Sequence, residues 1–263
     1  MIHPPATTPA APGAATENVR GAPLLLLDIG NTRLKWGLAG EAGLGESGAV
    51  AHDGDPAEAL RALRLPQPSA LWVAHVTGAA QEARLTEALR ALYGCDPQYA
   101  RAAAAWHGLR SAYREPERLG VDRWLAMIAA WGEAQAPACV VDAGTALTVD
   151  CIDAHGLHLG GIIAAGLRTQ QRALLGHTRF TTRAAASAYD GGLGTDTEAC
   201  VRQGALLACL GAVDRALALA GPAAPRRLLT GGDAEQLLPY LSGPWAYRPQ
   251  LVLEGLLRLA SDR

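Results

Sequence analysis

LLLLDIGNTRLKWGLA, residues 24–39, is the stretch whose reading decides the fold. Four leucines running into Asp28 read as a buried strand, Gly30 and Asn31 supply a tight turn, and Arg33 to Ala39 resume as a second strand. A carboxylate and a bend rich in backbone N–H groups thus share one edge of a sheet, a place to hold phosphate and a metal ion. The device recurs in VVDAGTALTVDCI, residues 140–152: a β-rich run, an Asp, a Gly two positions later, a hydroxyl side chain and a return strand. Asp28 then corresponds to Asp142, and Gly30 to Gly144. One Asp-x-Gly turn alone says little, because both residues are common in turns for conformational reasons. Two in the same strand context imply two similar sheet units facing each other across a cleft, each with a phosphate-gripping turn.

A chain of 263 residues and 27.3 kDa fills one large core or two domains of about 110 to 130 residues, and the repeat favours two. These are placed at residues 24–115 and 116–263. Lys and Arg number 23 against 25 Asp and Glu, so no basic excess argues for nucleic acid, and no apolar run is long enough to span a membrane. Five cysteines without CxxC spacing fit a reducing compartment; Cys139, Cys151, Cys200 and Cys209 read as small core residues and Cys95 as a loop residue. Residues 1–23, rich in Pro, Ala and Thr, do not resemble a secretory signal and read as a disordered leader or a misplaced start, which function should survive losing.

After the first hairpin, Ala49 to Ala51 suggest a third strand, and Asp53 or Asp55 caps a helix carrying Ala59, Leu60, Leu63 and Leu65. Residues 70–78 form a strand ending at His75 and a small polar loop, with His75 expected half-buried and bonded to neighbouring backbone. Gln81 to Tyr93 is an amphipathic helix. A further helix begins at Asp122, where a carboxylate caps the helix dipole; a cap explains Asp122 but not Arg123. Together, a carboxylate that takes a proton and a guanidinium that forks onto a substrate carboxylate suit a kinase acting on an acidic alcohol. In the second unit, Gly160 and Gly161 allow close backbone approach, and Gly166 precedes a helix to about Leu175. Thr195, Asp196 and Thr197 form a hydroxyl and carboxylate cluster before a long Ala and Leu helix, in which Gly204 calls for close packing or an approaching ligand. Strand, Gly231-Gly232 turn and helix follow, and RPQLVLEGLLRLA, residues 248–260, reads as an edge strand passing to a helix.

The chain lacks GxxxxGK[ST], HExxH, GxSxG and a GxGxxG after its first strand, and its seven histidines show no ligand spacing. Paired acidic turns over a cleft remain, implying metal-nucleotide chemistry with phosphates held by backbone N–H groups and hydroxyls.

Asp28-Ile29-Gly30-Asn31-Thr32 with Lys35, then Tyr113, Pro116 and Leu119-Gly120-Val121-Asp122-Arg123, then Val141-Asp142-Ala143-Gly144-Thr145-Ala146 with Thr148, resemble in order and spacing the type III pantothenate kinases. These belong to the acetate and sugar kinase, Hsp70 and actin superfamily, and the resemblance covers roughly residues 24 to 258. It implies an α/β fold of duplicated ribonuclease H-like, actin-like ATPase domains, with mixed sheets flanked by helices. It implies ATP-dependent phosphorylation of pantothenate in the cytoplasm, opening coenzyme A synthesis, by a homodimer with no nucleic-acid or membrane partner. By the same resemblance, Asp28, Ile29, Gly30, Asn31, Thr32, Arg33, Leu34, Lys35 and Thr145 bind ATP, and Asp28 its magnesium ion. Tyr113, Gly120, Val121, Asp122, Arg123 and Thr197 hold pantothenate, with Asp122 as the proton acceptor. Asp142 binds a monovalent cation, potassium or ammonium.

Two departures from the family pattern remove no catalytic group. Ala165 stands where relatives have Pro before Gly166, and Ala74-His75 where a Ser-Ser or Thr-Ser pair is usual, which leaves that loop's contacts open. The competing readings are a kinase for another small alcohol or acid, and a non-enzymatic, transcription-related regulator descended from such a kinase.

Overall fold

The computed structural model describes residues 21–177, 189–221 and 224–262; most of the expected leader lies outside them. The first unit contains β1 (Leu24–Ile29), β2 (Arg33–Gly40), β3 (Gly43–Ala51), α1 (Pro56–Leu63), β4 (Ala70–His75), α2 (Ala79–Tyr93) and β5 (Gln98–Tyr99). A short hairpin of β6 (Ala105–Trp106) and β7 (Leu109–Arg110) leads to α3 (Val121–Ala134). The second unit has β8 (Ala138–Ala143), β9 (Ala146–Ile152), β10 (His158–Ala165), α4 (Leu167–His177), α5 (Thr197–Leu219), β11 (Arg226–Thr230), α6 (Ala234–Leu237), β12 (Ala246–Tyr247) and α7 (Leu251–Ser261).

The duplication is complete at the level of the sheets. One has the order β3-β2-β1-β4-β5 and the other β10-β9-β8-β11-β12. In each, three antiparallel strands are joined through the first to two parallel ones. The leucine run of β1 follows from burial on both faces. Leu25, Leu27 and Ile29 pack toward Leu60, Leu85 and Leu89 of α1 and α2, whereas Leu26 turns to a central core with Trp72, Trp124 and Leu253. β8 divides likewise: Cys139, Val141 and Ala143 face Leu206, Cys209 and Val213 of α5, and Ala138 and Val140 face the central core.

That central core lies between the sheets and is built on α3 and α7. α3 packs on β8, β9 and β4, while α7 returns to β1, β2, β3 and β4, so the last helix of the chain covers the first sheet. The two helices cross where a Cβ on Gly255 would stand 1.9 Å from the carbonyl oxygen of Leu125, a contact open only to glycine.

Several local expectations are corrected. β3 spans nine residues, because it pairs with β2 from Gly43 to Ala51 across one irregularity opposite Leu38. Asp55 caps α1, its carboxylate accepting from the N–H groups of Ala57 and Glu58, and the helix stops before Leu65 at the left-handed Arg64. Leu251 and Val252 are helical, not an edge strand; Pro249 follows the two-residue β12, and both side chains are buried in the central core. Cys200 is exposed on the first turn of α5, whereas Cys139, Cys151 and Cys209 are buried.

Candidate active site

Three turns converge at the carboxyl ends of the central strands. The first follows β1, where Gly30 N–H donates to the carbonyl of Arg33 (3.0 Å). The second follows β8, where Gly144 N–H donates to the carbonyl of Ala146 (2.9 Å). The two touch through their hydroxyls, Thr32 Oγ1 to Thr145 Oγ1 at 3.1 Å. The third follows β11: at Gly231, with φ +102, a Cβ would lie 2.4 Å from the Ala143 carbonyl, so only glycine brings this turn against the second. A Cβ on the adjacent Gly232 would be 3.2 Å from the Arg33 guanidinium.

Within the first turn, Asn31, Thr32 and Arg33 are exposed, while Ile29 and Leu34 are core residues whose contribution to a ligand is limited to backbone. His52 braces this turn from behind. Its Nδ1 accepts from Gly54 N–H (3.3 Å), which leaves Nε2 to donate to the Gly30 carbonyl (3.0 Å).

Asp28 and Asp142 occupy equivalent strand ends, and Lys35 is the direct cross-strand partner of Asp28. Burial pushes Asp28 up to about 7; Lys35 opposes the shift and the charges of Asp122 and Asp142 add to it. Burial likewise raises Asp142 to about 6, against Lys35 and with Asp122 and Asp150. Carboxylates that raise one another, with the single Lys35 ammonium as their shared counter-charge, suit a bound cation. Beside Asp142 in the β8–β11 register, the Thr230 hydroxyl is buried without a hydrogen-bond partner among the described residues, a further oxygen for such an ion. No group of three or more His, Cys, Asp or Glu side chains gathers as a metal cage among the described residues. A cation here fits the pattern in which one or two carboxylates share it with phosphate and water.

Asp122 enters the same acidic field from the first turn of α3. Gly120 is the N-cap, and the Asp122 carboxylate accepts from the N–H of Arg123 (2.8 Å). Burial raises Asp122 above the usual carboxylate range, offset by that N–H and the Arg123 charge. Gly120 is half-buried and Val121 buried beneath it.

Arg123 departs from expectation. Its fork is taken by Asp150, with Nε donating to Oδ2 (2.8 Å) and Nη2 to Oδ1 (2.6 Å), while Nη1 donates to Tyr113 Oη (2.9 Å). His158, fully buried, reaches the same Asp150 Oδ1 at 2.9 Å, and its ring stacks with Tyr113. Burial would raise Asp150, but His158 and Arg123 together hold it below the ordinary range. A Cβ on Gly161 would fall 2.3 Å from Asp150 Oδ1, so the close approach at that glycine serves this pair. Asp150 and His158 are the residues that reading the motifs missed; the signal was an acidic residue inside the otherwise apolar return strand LTVDCI.

Two expected positions stand apart. Thr197 is the exposed first residue of α5, and no hydrogen bond among the described residues joins it to Tyr113, Asp122 or Arg123. His75 is buried, as its place at the end of β4 suggests, but its main partner is a carboxylate: Nδ1 accepts from Thr77 N–H (3.4 Å) and Nε2 donates to Glu82 (2.5 Å).

Comparison with known proteins bears on this geometry. A family model described as type III pantothenate kinase matches residues 24–218. The type III pantothenate kinase of Halorhodospira halophila is 41% identical over 249 residues, covering 89% of this chain and 96% of that one. That of Nitrosococcus oceani is 32% identical over 250 residues, covering 91% and 94%. Among solved structures, a Campylobacter jejuni protein assigned to the Baf family of transcriptional activators matches with a TM-score of 0.58 at 20% identity, over 90% of this chain and 98% of that one. Component A of the (R)-2-hydroxyglutaryl-CoA dehydratase of Acidaminococcus fermentans matches with a TM-score of 0.52 at 13% identity, over 90% and 95%. At such identities these two carry the fold alone, the duplicated α/β architecture of mixed sheets flanked by helices.

Proposed function

We propose a residue-level mechanism for a chain that belongs to the type III pantothenate kinase family, with Asp122 as the group that takes the substrate's hydroxyl proton. The chain is a kinase that transfers a phosphoryl group from ATP to pantothenate, giving 4'-phosphopantothenate, the first step of coenzyme A biosynthesis. The observation that supports the mechanism is the position of Asp122: a carboxylate raised by burial, close enough to Asp28 and Asp142 at the two turns for its charge to raise both. In the proposed step Asp122 orients the terminal hydroxyl and accepts its proton as the bond to phosphorus forms. Backbone N–H groups of residues 31–33 and the hydroxyls of Thr32 and Thr145 hold the ATP phosphates. Magnesium on Asp28 and a monovalent cation at Asp142 would neutralise phosphate charge. The regulator reading has less support, because Asp28, Asp122 and Asp142 are all in place. Purified protein should phosphorylate pantothenate with ATP, magnesium and potassium while leaving glycerol, acetate and hexoses untouched; preference for any of the latter would overturn the substrate assignment.

The cation assignment predicts that Asp142→Asn raises the potassium concentration needed for half-maximal activity, since an amide of the same shape binds a cation less strongly. A potassium titration that overlays the parent's would remove Asp142 from that role. For Arg123, we propose that the N–H groups left over from Asp150 and Tyr113 reach the pantothenate carboxylate. Arg123→Lys keeps the charge and loses the fork, so the Michaelis constant should rise for pantothenate and not for ATP, with some loss of stability.

We further propose a homodimer. Gly204, Leu207, Ala208 and Gly211 form an exposed stripe on α5, and Cβ atoms on Gly204 and Gly211 would meet nothing within 4 Å. Among the described residues nothing occupies the space at Gly204, and a second copy would fill it. Leu207→Arg is expected to give a monomer by sedimentation; an unchanged sedimentation coefficient would place the interface elsewhere. The five cysteines are all free, which suits a reducing compartment, and we place the enzyme in the cytoplasm. No helix among the described residues is long and apolar enough to cross a membrane.

A further inference from the structure

The far ends of the two central helices border an open cavity of about 580 Å³, lined by Leu44 of β3, Trp106 and His107 of the β6–β7 hairpin, Gly132 of α3, and Leu257 and Arg258 of α7 among others. It is remote from the chemistry: Gly132 lies ten residues along α3 from Asp122, about 15 Å at the rise of a helix. The volume is that of a site for a small organic molecule.

The charges on its walls are paired, with one exception. Arg248 donates to Glu133 (2.8 Å) and to Glu254 (2.5 Å). Asp262 accepts from Trp106 Nε1 (2.5 Å) and is bonded to His107 Nε2 (2.9 Å). Arg258 is half-buried, and among the described residues its guanidinium has neither a carboxylate nor a hydrogen-bond partner. It lies over the end of α3, where a Cβ on Gly132 would come within 3.0 Å of Arg258 Cδ and 3.0 Å of the Trp106 ring, so the absence of a side chain there makes room for both.

We infer that this cavity is a second binding site, for a small organic anion that forks a carboxylate, phosphate or sulfonate group onto Arg258 and lays its apolar body against Trp106, Leu44 and Leu257. The guanidinium offers its N–H donors in a planar fork, and an oxyanion takes them in pairs through charge-assisted hydrogen bonds. The aromatic and aliphatic walls then supply the contact area, Arg248 offsets the charge of Glu254, and Asp262 is turned onto Trp106 and His107.

The test uses full-length protein and the probe 8-anilinonaphthalene-1-sulfonate, followed by fluorescence in the presence of saturating ATP and magnesium so that the catalytic cleft is occupied. Saturable binding at one probe per chain is expected, weakened at least tenfold by Arg258→Met and by Trp106→Leu, and unchanged by Asp122→Asn. Thermal melts of each variant accompany the titrations. A titration on Arg258→Met that overlays the parent's overturns the inference and leaves Arg258 as a charge at the end of α3, the more so if that variant melts lower. Displacement of the probe by ATP also overturns it, since the probe would then sit in the catalytic cleft. If Arg258→Met fails to fold, Trp106→Leu decides by the same criterion.

Discussion

Asp122→Asn is expected to reduce turnover by roughly 10²- to 10⁴-fold, the range for a lost general base, with little change in melting temperature. Asparagine keeps the size of the side chain, and its amide oxygen can still accept from the Arg123 N–H that the carboxylate engages at 2.8 Å. What disappears is the ability to take the hydroxyl proton. The pH profile supplies a second readout. Burial raises Asp122 above the ordinary carboxylate range, and a base works only when deprotonated. In the parent, kcat/KM should climb with pH through that raised value, and in Asp122→Asn this limb should vanish. Near-parent turnover in the variant, or a loss explained by unfolding, would reduce Asp122 to a helix-end residue.

Asp150→Ala is expected to cost about 3 to 5 kcal/mol of stability, the range for removing one partner of a buried ion pair. For a chain of this size that lowers the melting temperature by roughly 10 °C. Asp150 is 2% exposed and receives both arms of the Arg123 fork as well as His158, so its loss strands two buried polar side chains. The double variant Arg123→Met/Asp150→Leu should be less destabilised than Asp150→Ala, because no unpaired guanidinium remains buried. Denaturant titration of the three proteins decides. A loss under 1 kcal/mol for Asp150→Ala would mean that water reaches the pair freely. Activity adds a distinction: if Asp150 positions Arg123 for substrate, the milder Asp150→Asn should raise the Michaelis constant for pantothenate more than it alters turnover.

The fold was legible because its repeat is written in residues with strict local meanings. A leucine run ending in Asp, a glycine turn and a returning strand specify a hairpin through burial and turn chemistry alone, and finding the pattern again at Asp142 specified a duplication. The positions of Asp28, Asp142 and Asp122 at strand ends and a helix start followed from the same local rules. Other features lay beyond them. That α7 covers the first sheet depends on a crossing at Gly255 and Leu125, residues 130 positions apart whose complementarity no window of sequence reports. The same holds for Thr32 meeting Thr145, and for His52 bracing the first turn.

Arg123 marks the boundary most clearly. Its charge and place beside Asp122 pointed to a substrate carboxylate, and sequence by itself determined that a guanidinium stands at the start of α3. Only the tertiary structure decided that the fork closes on Asp150, because a buried guanidinium must be neutralised by whichever carboxylate the fold brings within reach. That choice is made by the packing of α3 on β9, which places side chains 27 residues apart in contact. Local chemistry thus determined the strands, turns and acidic ends of this protein, while the partner of each buried charge was left to long-range packing, where burial makes pairing obligatory.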